Sequence, residues 1–337
     1  MTEDSAQTIA VIGAGSWGTA LAILLAKNGH HVRLWAHRPA HIEAMQAARC
    51  NSRYLPDIPL PDKLEPIADI GHVLHGVDLV LVVVPSHAFR DTLATMRPYI
   101  SHHQHIAWGS KGLEPETNKF LHEICQEELG GSISTVVVSG PTFAREVAMG
   151  QPSAVTVACA DEHYAEHVAR MLHNDVFRAY ISTDIIGVQI GGAVKNVLAI
   201  AAGIAAGLGY GANTSAALIT RALAEVMRFG VSLGGQRETF MGLAGLGDLV
   251  LTATDNQSRN RRLGLALGQG KTQQQAAAEI GQVTEGLHTA KEIYTIAQQH
   301  GVDMPITEQV YQVLFEGLSP ADSVQALLSR DLKPELS

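Results

Sequence analysis

Cysteine is scarce in this 337-residue chain: Cys50, Cys125 and Cys159 are far apart and form no C-x-x-C. That argues against a disulfide framework and a thiolate metal site, and suits a reducing compartment. Charge is also sparse, and cations are the scarcer sign, 24 Lys and Arg against 33 Asp and Glu, for a net charge of −9. A general nucleic-acid binder draws its affinity from cations on phosphates, so that class is excluded; any anionic ligand needs a local cluster of cations. Sixteen histidines include no H-E-x-x-H, and no serine lies in a G-x-S-x-G elbow, so metalloprotease and hydrolase readings lapse. His163 and His167 share a helix face with Asp161, Glu162 and Glu166 around them, which reads as solvated surface, and His102, His103 and His105 read as part of a loop. The polar, acidic start Met1–Gln7 lacks the basic and apolar segments of a secretory signal, so a cytoplasmic chain is expected.

There is one long apolar run, Ile185 to Leu208. Lys195 and Asn196 interrupt its middle, where a lysine would cost about 2.5–3.5 kcal/mol in a bilayer. Its five glycines from Gly187 to Gly207 suit close packing inside a protein. The expectation is a buried helix in a second domain and no membrane span.

At this length one or two domains are expected. Short apolar runs at Ile9–Ile12, Val32–Trp35, Leu79–Val84, Ile106–Trp108, Thr135–Val138 and Ala154–Ala158 read as strands. Their continuous apolar character predicts a parallel sheet covered on both faces. Amphipathic stretches lie between them, such as Ser16–Asn28 before Gly29, so the N-terminal part reads as a doubly wound α/β domain. Beyond about residue 186 only helical periodicity remains. We expect a Rossmann-type domain over 1–186 and an all-helical, substrate-binding domain over 187–337. No internal repeat, Pro- or Ser-rich linker or low-complexity tract occurs.

The most specific local signal is Gly13-x-Gly15-x-x-Gly18, which follows an apolar strand and opens an Ala/Leu-rich helix. In that context Gly13 makes the tight turn, Gly15 lets the backbone approach a pyrophosphate, and Gly18 lets helix and strand pack closely. The next strand ends before Ala36-His37-Arg38, where an NAD-specific domain places a carboxylate for the ribose hydroxyls. His37 and Arg38 can instead accept a 2′-phosphate, or form a solvated pair that touches nothing. The expected cofactor is NADPH at least as much as NADH.

Polar residues beyond strand ends mark the substrate side: Ser110-Lys111-Gly112, and Gly140-Pro-Thr142-Phe-Ala144. Lys195 is a cation inside an apolar helix; with its pKa lowered by such surroundings it can pass a proton to or from an alcohol or carbonyl oxygen. Asp248 closes the glycine-rich run from Gly242, and it can orient Lys195, hydrogen-bond a substrate hydroxyl or cap a helix. Ser258-Arg259-Asn260-Arg261-Arg262, read as lying just before a helix, suits a bound phosphate, although a carboxylate also fits.

Gly13–Ala20, Ser110–Gly112, Gly140–Ala144, Val194–Asn196, Gly242–Asp248, Ser258–Arg261 and Val283–Gly286 appear in order and with compatible spacing. As a set they resemble the bacterial NAD(P)-dependent sn-glycerol-3-phosphate dehydrogenases, from about residue 9 to 325. The resemblance implies a Rossmann domain followed by a helical one, a cytoplasmic homodimer, and reduction of dihydroxyacetone phosphate to sn-glycerol 3-phosphate for phospholipid synthesis. It implies Lys195 as proton donor in reduction and acceptor in oxidation. Substrate contacts would come from Lys111, Gly140, Thr142, Asp248, Ser258, Arg259 and Asn260. Cofactor contacts would come from Ser16, Trp17, His37, Arg38, Tyr54, Lys111, Ala144, Arg259, Val283 and Glu285; no metal is implied. Thr142 stands where members often have Ser, and Ala253 where they often have Cys.

Two other readings compete. A related two-domain dehydrogenase of a β-hydroxy acid or sugar acid shares the general build. A non-catalytic redox sensor would bind NAD(P)H and a partner, leaving Lys195 and Asp248 without a purpose.

Overall fold

Ten strands and a larger number of helices are seen in a computed structural model that describes residues 6–101, 104–131, 133–281 and 284–331. The strands are β1 (Thr8–Ile12), β2 (His31–Trp35), β3 (Cys50–Asn51), β4 (Leu55–Pro59), β5 (Leu64–Ile67), β6 (Leu79–Val82), β7 (His105–Trp108), β8 (Thr135–Ser139), β9 (Ser153–Ala158) and β10 (Phe177–Ser182). Eight form one sheet in the order β10-β9-β8-β7-β6-β1-β2-β5, and β3 and β4 form a separate hairpin. The chain divides into two compact units. The first comprises residues up to Ser110 with Lys119–Ile185, and the second comprises Lys111–Asn118 with the chain from Ile186 onward.

In the first unit β1 is central, paired in parallel with β2 and β6. Ile9 through Ile12 are fully buried, which is why this strand reads as an unbroken apolar run and not as an alternating one. The expected all-parallel sheet needs one correction: β9 runs antiparallel to β8, and β10 then runs parallel to β9. Antiparallel pairs at the margin of a doubly wound sheet are common, and apolar composition carries no information on direction. Strand β10 was missed because Arg178 and Tyr180 break its apolar character; β5 was missed because it is only four residues long and carries Glu65 and Pro66. His105 opens β7 instead of lying in a loop, while His102 and His103 lie outside the described residues.

The helix Ser16–Lys27 follows the glycine turn and is buried along most of its length, so its small residues pack against the sheet. Gly13 has φ of +119°, and a Cβ there would stand 2.4 Å from the Val83 carbonyl oxygen. A Cβ on Gly18 would meet the Gly13 carbonyl oxygen at 1.9 Å. These two positions tolerate no side chain, which is the tight turn and close packing expected of them.

The second unit is helical. Its central helix, Ile185–Gly207, is long and apolar enough to cross a membrane, but most of it is buried in the fold. Gly203 and Gly207 lie against the backbone of the helix Arg259–Gly268, where a Cβ on Gly203 would meet the Arg261 carbonyl oxygen at 2.1 Å. Gly264 and Gly268 answer from the other side, and a Cβ on Gly264 would meet the Ile200 carbonyl oxygen at 2.0 Å. Two small-xxx-small stripes therefore let two backbones touch, and the apolar run is explained by packing.

Candidate active site

Lys195 sits in the middle of the helix Ile185–Gly207, and Gly191 one turn before it has no room for a side chain. A Cβ on Gly191 would stand 2.4 Å from the Ala244 carbonyl oxygen, so the single π-helical turn Leu243–Gly247 lies directly on this helix. That turn delivers Asp248, the first residue of the helix Asp248–Thr254. The Lys195 ammonium donates to Asp248 Oδ1 at 2.5 Å and to Thr252 Oγ1 at 3.2 Å. Lys111, on the short segment that belongs to this unit, donates to the other oxygen, Asp248 Oδ2, at 2.6 Å. One fully buried carboxylate thus holds two ammonium groups, and the N-cap of the helix Asp248–Thr254 is Gly247 and not Asp248.

Burial disfavours the charged form of Lys195, and Lys111 adds repulsion, while Asp248 opposes both. The net result lowers the Lys195 pKa to about 8. A lysine in that range can give and take a proton near neutrality.

Asn260, Asn196 and Gly286 form a second network beside it. The Asn260 amide donates to Asn196 Oδ1 at 2.9 Å, and the Gly286 N–H donates to Asn260 Oδ1 at 3.0 Å. This leaves the Asn196 Nδ2 buried and without a partner. Ser258 is the N-cap of the helix Arg259–Gly268, accepting from the Arg261 N–H at 3.2 Å. The basic cluster was expected to precede a helix, and instead Arg259 begins it. Its arginines are not equivalent: Arg261 is tied to the Ala253 carbonyl at 2.9 Å and to Asn256, holding the turn. Arg259 bears electrostatically on Glu285, together with Lys195 and Lys111. Burial raises the pKa of Glu285 and these three cations oppose it. Lys111, Lys195 and Arg259 against Asp248 and Glu285 make a locally cationic site within a protein of net negative charge. Val283 lies outside the described residues.

In the first unit the glycine turn ends at Gly15, where an added Cβ would meet nothing within 4 Å, so the face expected to receive a pyrophosphate is open. The helix N-terminus begins there at Ser16 and Trp17. These features fit a dinucleotide. Ser16 Oγ donates to the Tyr54 carbonyl at 2.8 Å. The Arg38 Nε donates to His37 Nε2 at 3.2 Å, and both side chains are exposed just past β2. Gly140 and Thr142 lie between β8 and the helix Ala144–Met149, with Thr142 Oγ1 near the Gly140 carbonyl at 3.4 Å. Among the described residues, no three His, Cys, Asp or Glu side chains gather as a metal-ligand set.

Sequence reasoning missed two polar contacts. Thr252 follows Asp248 by one helical turn and touches Lys195, a spacing that could have been read once Asp248 was placed at a helix start. Asn196 adjoins Lys195, and it is marked by the Asn260 bond to its Oδ1 and by its buried Nδ2, which has no partner.

Family models agree with this arrangement. One described as NAD-dependent glycerol-3-phosphate dehydrogenase N-terminus matches residues 8–165, and one described as the C-terminus of the same family matches residues 184–325. A curated glycerol-3-phosphate dehydrogenase (NAD(P)+) of Thioalkalivibrio sulfidiphilus is 55% identical over 327 residues, covering 97% of this chain and 98% of that one. Its counterpart in Pectobacterium carotovorum subsp. carotovorum is 54% identical over 329 residues, covering 97% of each. The crystal structure of glycerol-3-phosphate dehydrogenase from Coxiella burnetii is 48% identical and superposes with a TM-score of 0.93, covering 96% of this chain and 99% of that one.

Proposed function

This chain belongs to the NAD-dependent glycerol-3-phosphate dehydrogenase family, and on that premise we propose that it interconverts dihydroxyacetone phosphate and sn-glycerol 3-phosphate with Lys195 moving the proton. The nicotinamide dinucleotide supplies or accepts the hydride when bound. Reduction builds negative charge on the carbonyl oxygen. The Lys195 ammonium polarises that oxygen and donates the Nζ proton to it; in oxidation the neutral amine takes the hydroxyl proton back. The observation that carries this reading is Lys195 itself, buried, lowered to about 8 and held on Asp248.

Arg259, Ser258, Asn260 and Lys111 hold the substrate phosphate, with Gly140 and Thr142 as further substrate contacts. A doubly charged phosphate suits the local excess of cations, and its binding energy serves to orient the reacting carbon. The cofactor is held by Gly13, Gly15, Ser16, Trp17, Gly18, His37, Arg38, Tyr54 and Ala144, and by Lys111, Arg259, Val283 and Glu285. His37 and Arg38 stand where a carboxylate would reject a 2′-phosphate, so NADPH is the preferred form. A cytoplasmic homodimer that feeds phospholipid synthesis completes the reading.

NADPH oxidation followed by absorbance with dihydroxyacetone phosphate, and then with unphosphorylated dihydroxyacetone, tests the substrate. Turnover confined to the phosphorylated compound is expected. Equal turnover of both would remove the phosphate site, and turnover of neither would contradict the assignment.

A further inference from the structure

The hairpin of β3 and β4 lies outside the main sheet, yet it is fastened to the glycine turn. Asn51 is fully buried and its amide donates to the Ala14 carbonyl at 3.0 Å and to Thr19 Oγ1 at 2.8 Å. Three residues on, the Tyr54 N–H returns to Asn51, to its carbonyl at 3.2 Å and to Oδ1 at 3.3 Å. The Ser16 hydroxyl fixes the Tyr54 carbonyl in turn. Residues 51–54 are therefore held in fixed register with the backbone that approaches the dinucleotide. A turn pinned this way spends no further entropy in presenting its side chains.

What it presents is Arg53. This side chain is exposed, with its guanidinium carbon 5.2 Å from the centre of the Tyr54 ring, a cation–π contact that restricts its direction. The Tyr54 ring meets His41 edge-on, 5.4 Å between centroids. His41 is held below the ordinary histidine range chiefly by burial, with a raising contribution from the Ala14 carbonyl and repulsion from Arg53, Arg38 and His37. Cations from two separate segments thus converge on one imidazole, and no carboxylate belongs to that set. Among the described residues neither Arg53 nor Arg38 is in an ion pair. Unneutralised like charges around His41 repel one another, and an anion carrying two charges relieves them. Arg38 follows the end of β2, where a ribose 2′-position is read in this fold.

We propose that Arg53 is a specificity-determining residue that binds the 2′-phosphate of NADPH together with Arg38. This rests on the NADPH preference proposed above and adds a second guanidinium to it. Two planar donor forks can share the phosphate oxygens, whereas NADH offers the Arg53 fork only neutral hydroxyls.

Isothermal titration calorimetry on the full-length protein tests this with four probes: NADPH, NADH, adenosine 2′,5′-bisphosphate and adenosine 5′-monophosphate. Arg53→Ala should weaken NADPH and the bisphosphate about tenfold or more, as expected for a lost charge-assisted bond, and leave NADH and the monophosphate unchanged. Arg53→Lys should recover part of the loss, and the melting temperature should not move. An equal loss for NADPH and NADH would make Arg53 a structural residue and overturn the proposal, as would no loss for NADPH. Arg38→Ala separates the two levels. Discrimination lost in Arg38→Ala but kept in Arg53→Ala leaves NADPH preference standing and removes Arg53. A wild-type protein that binds both dinucleotides equally removes both.

Discussion

Lys195 and Asp248 are 53 residues apart in the chain, yet the ammonium of one lies 2.5 Å from the carboxylate of the other, and both are buried. Removing two such charges from water is expensive, and their attraction offsets that cost only when the geometry is good and the remaining lone pairs are bonded. Lys111 and Thr252 complete the bonding. The same burial brings the Lys195 pKa to about 8, which is the basis of the proton-transfer role proposed for it.

Asp248→Asn should strip the one carboxylate between two ammonium groups. Asp248 raises the Lys195 pKa against desolvation, so its removal lowers that pKa further. The expected outcome is a kcat reduced by about 10²-fold or more, with the pH midpoint of the remaining activity moved below 8. A reduced kcat with an unmoved midpoint would show that Asp248 acts on something other than Lys195.

Arg259→Ala should raise KM for dihydroxyacetone phosphate more than it changes kcat, because it removes a bond to the non-reacting end of the substrate. A loss of about 1.5–3 kcal/mol, tenfold to a hundredfold, is the scale for a hydrogen bond to a charged group. Steady-state kinetics decide this; an unchanged KM would move the phosphate elsewhere.

Gly264→Ala tests the contact between the helices Ile185–Gly207 and Arg259–Gly268. Alanine favours a helix over glycine by about 1 kcal/mol, but here its Cβ would stand 2.0 Å from the Ile200 carbonyl oxygen. Overpacking costs about 1–3 kcal/mol or more and should win, lowering the urea midpoint. Gly211→Ala, where an added Cβ meets nothing within 4 Å, should cost less, only the poorer N-capping of alanine at the start of the helix Ala212–Ser232.

Glu225 gives a pH dependence of stability. Its buried carboxyl accepts from the Ile306 N–H at 2.6 Å and the Thr307 N–H at 3.2 Å, capping the helix Pro305–Phe315. Desolvation outweighs those bonds and raises its pKa from 4.5 to about 7. Between those two values the folded state binds the extra proton, so stability falls as pH rises from about 4.5 to 7. The span corresponds to about 3–4 kcal/mol at most. Glu292 carries a similar shift, so the difference between wild type and Glu225→Gln isolates this group. Urea unfolding from pH 5 to 8 should show the variant gaining relative stability as pH rises; parallel curves would exclude Glu225.

Much of this was legible in the sequence because glycine and lysine carry unusual information. Gly13, Gly15 and Gly18 could be read as a dinucleotide turn since each excludes or admits a neighbour for a stated reason, and the apolar strands follow from burial on both faces. Lys195 stood out as a cation in an apolar helix. The reversal of β9 and the short β3–β4 hairpin were not legible, because strand direction and two-residue pairing leave no periodic trace. Neither was the attachment of Lys111–Asn118 to the second unit, nor the convergence of Arg53 on His41, since both depend on tertiary return of the chain.

The most direct test of Lys195 as the proton-transfer group is kcat against pH in both directions, for wild type and Lys195→Ala. Reduction needs the ammonium, so its rate should fall as pH rises through about 8, and oxidation needs the amine, so its rate should rise through the same value. Lys195→Ala should lose about 10²–10⁴-fold in kcat and both limbs, with dinucleotide affinity retained. Wild-type profiles that keep their limbs in Lys195→Ala, or that move in the same direction for both reactions, would contradict the assignment.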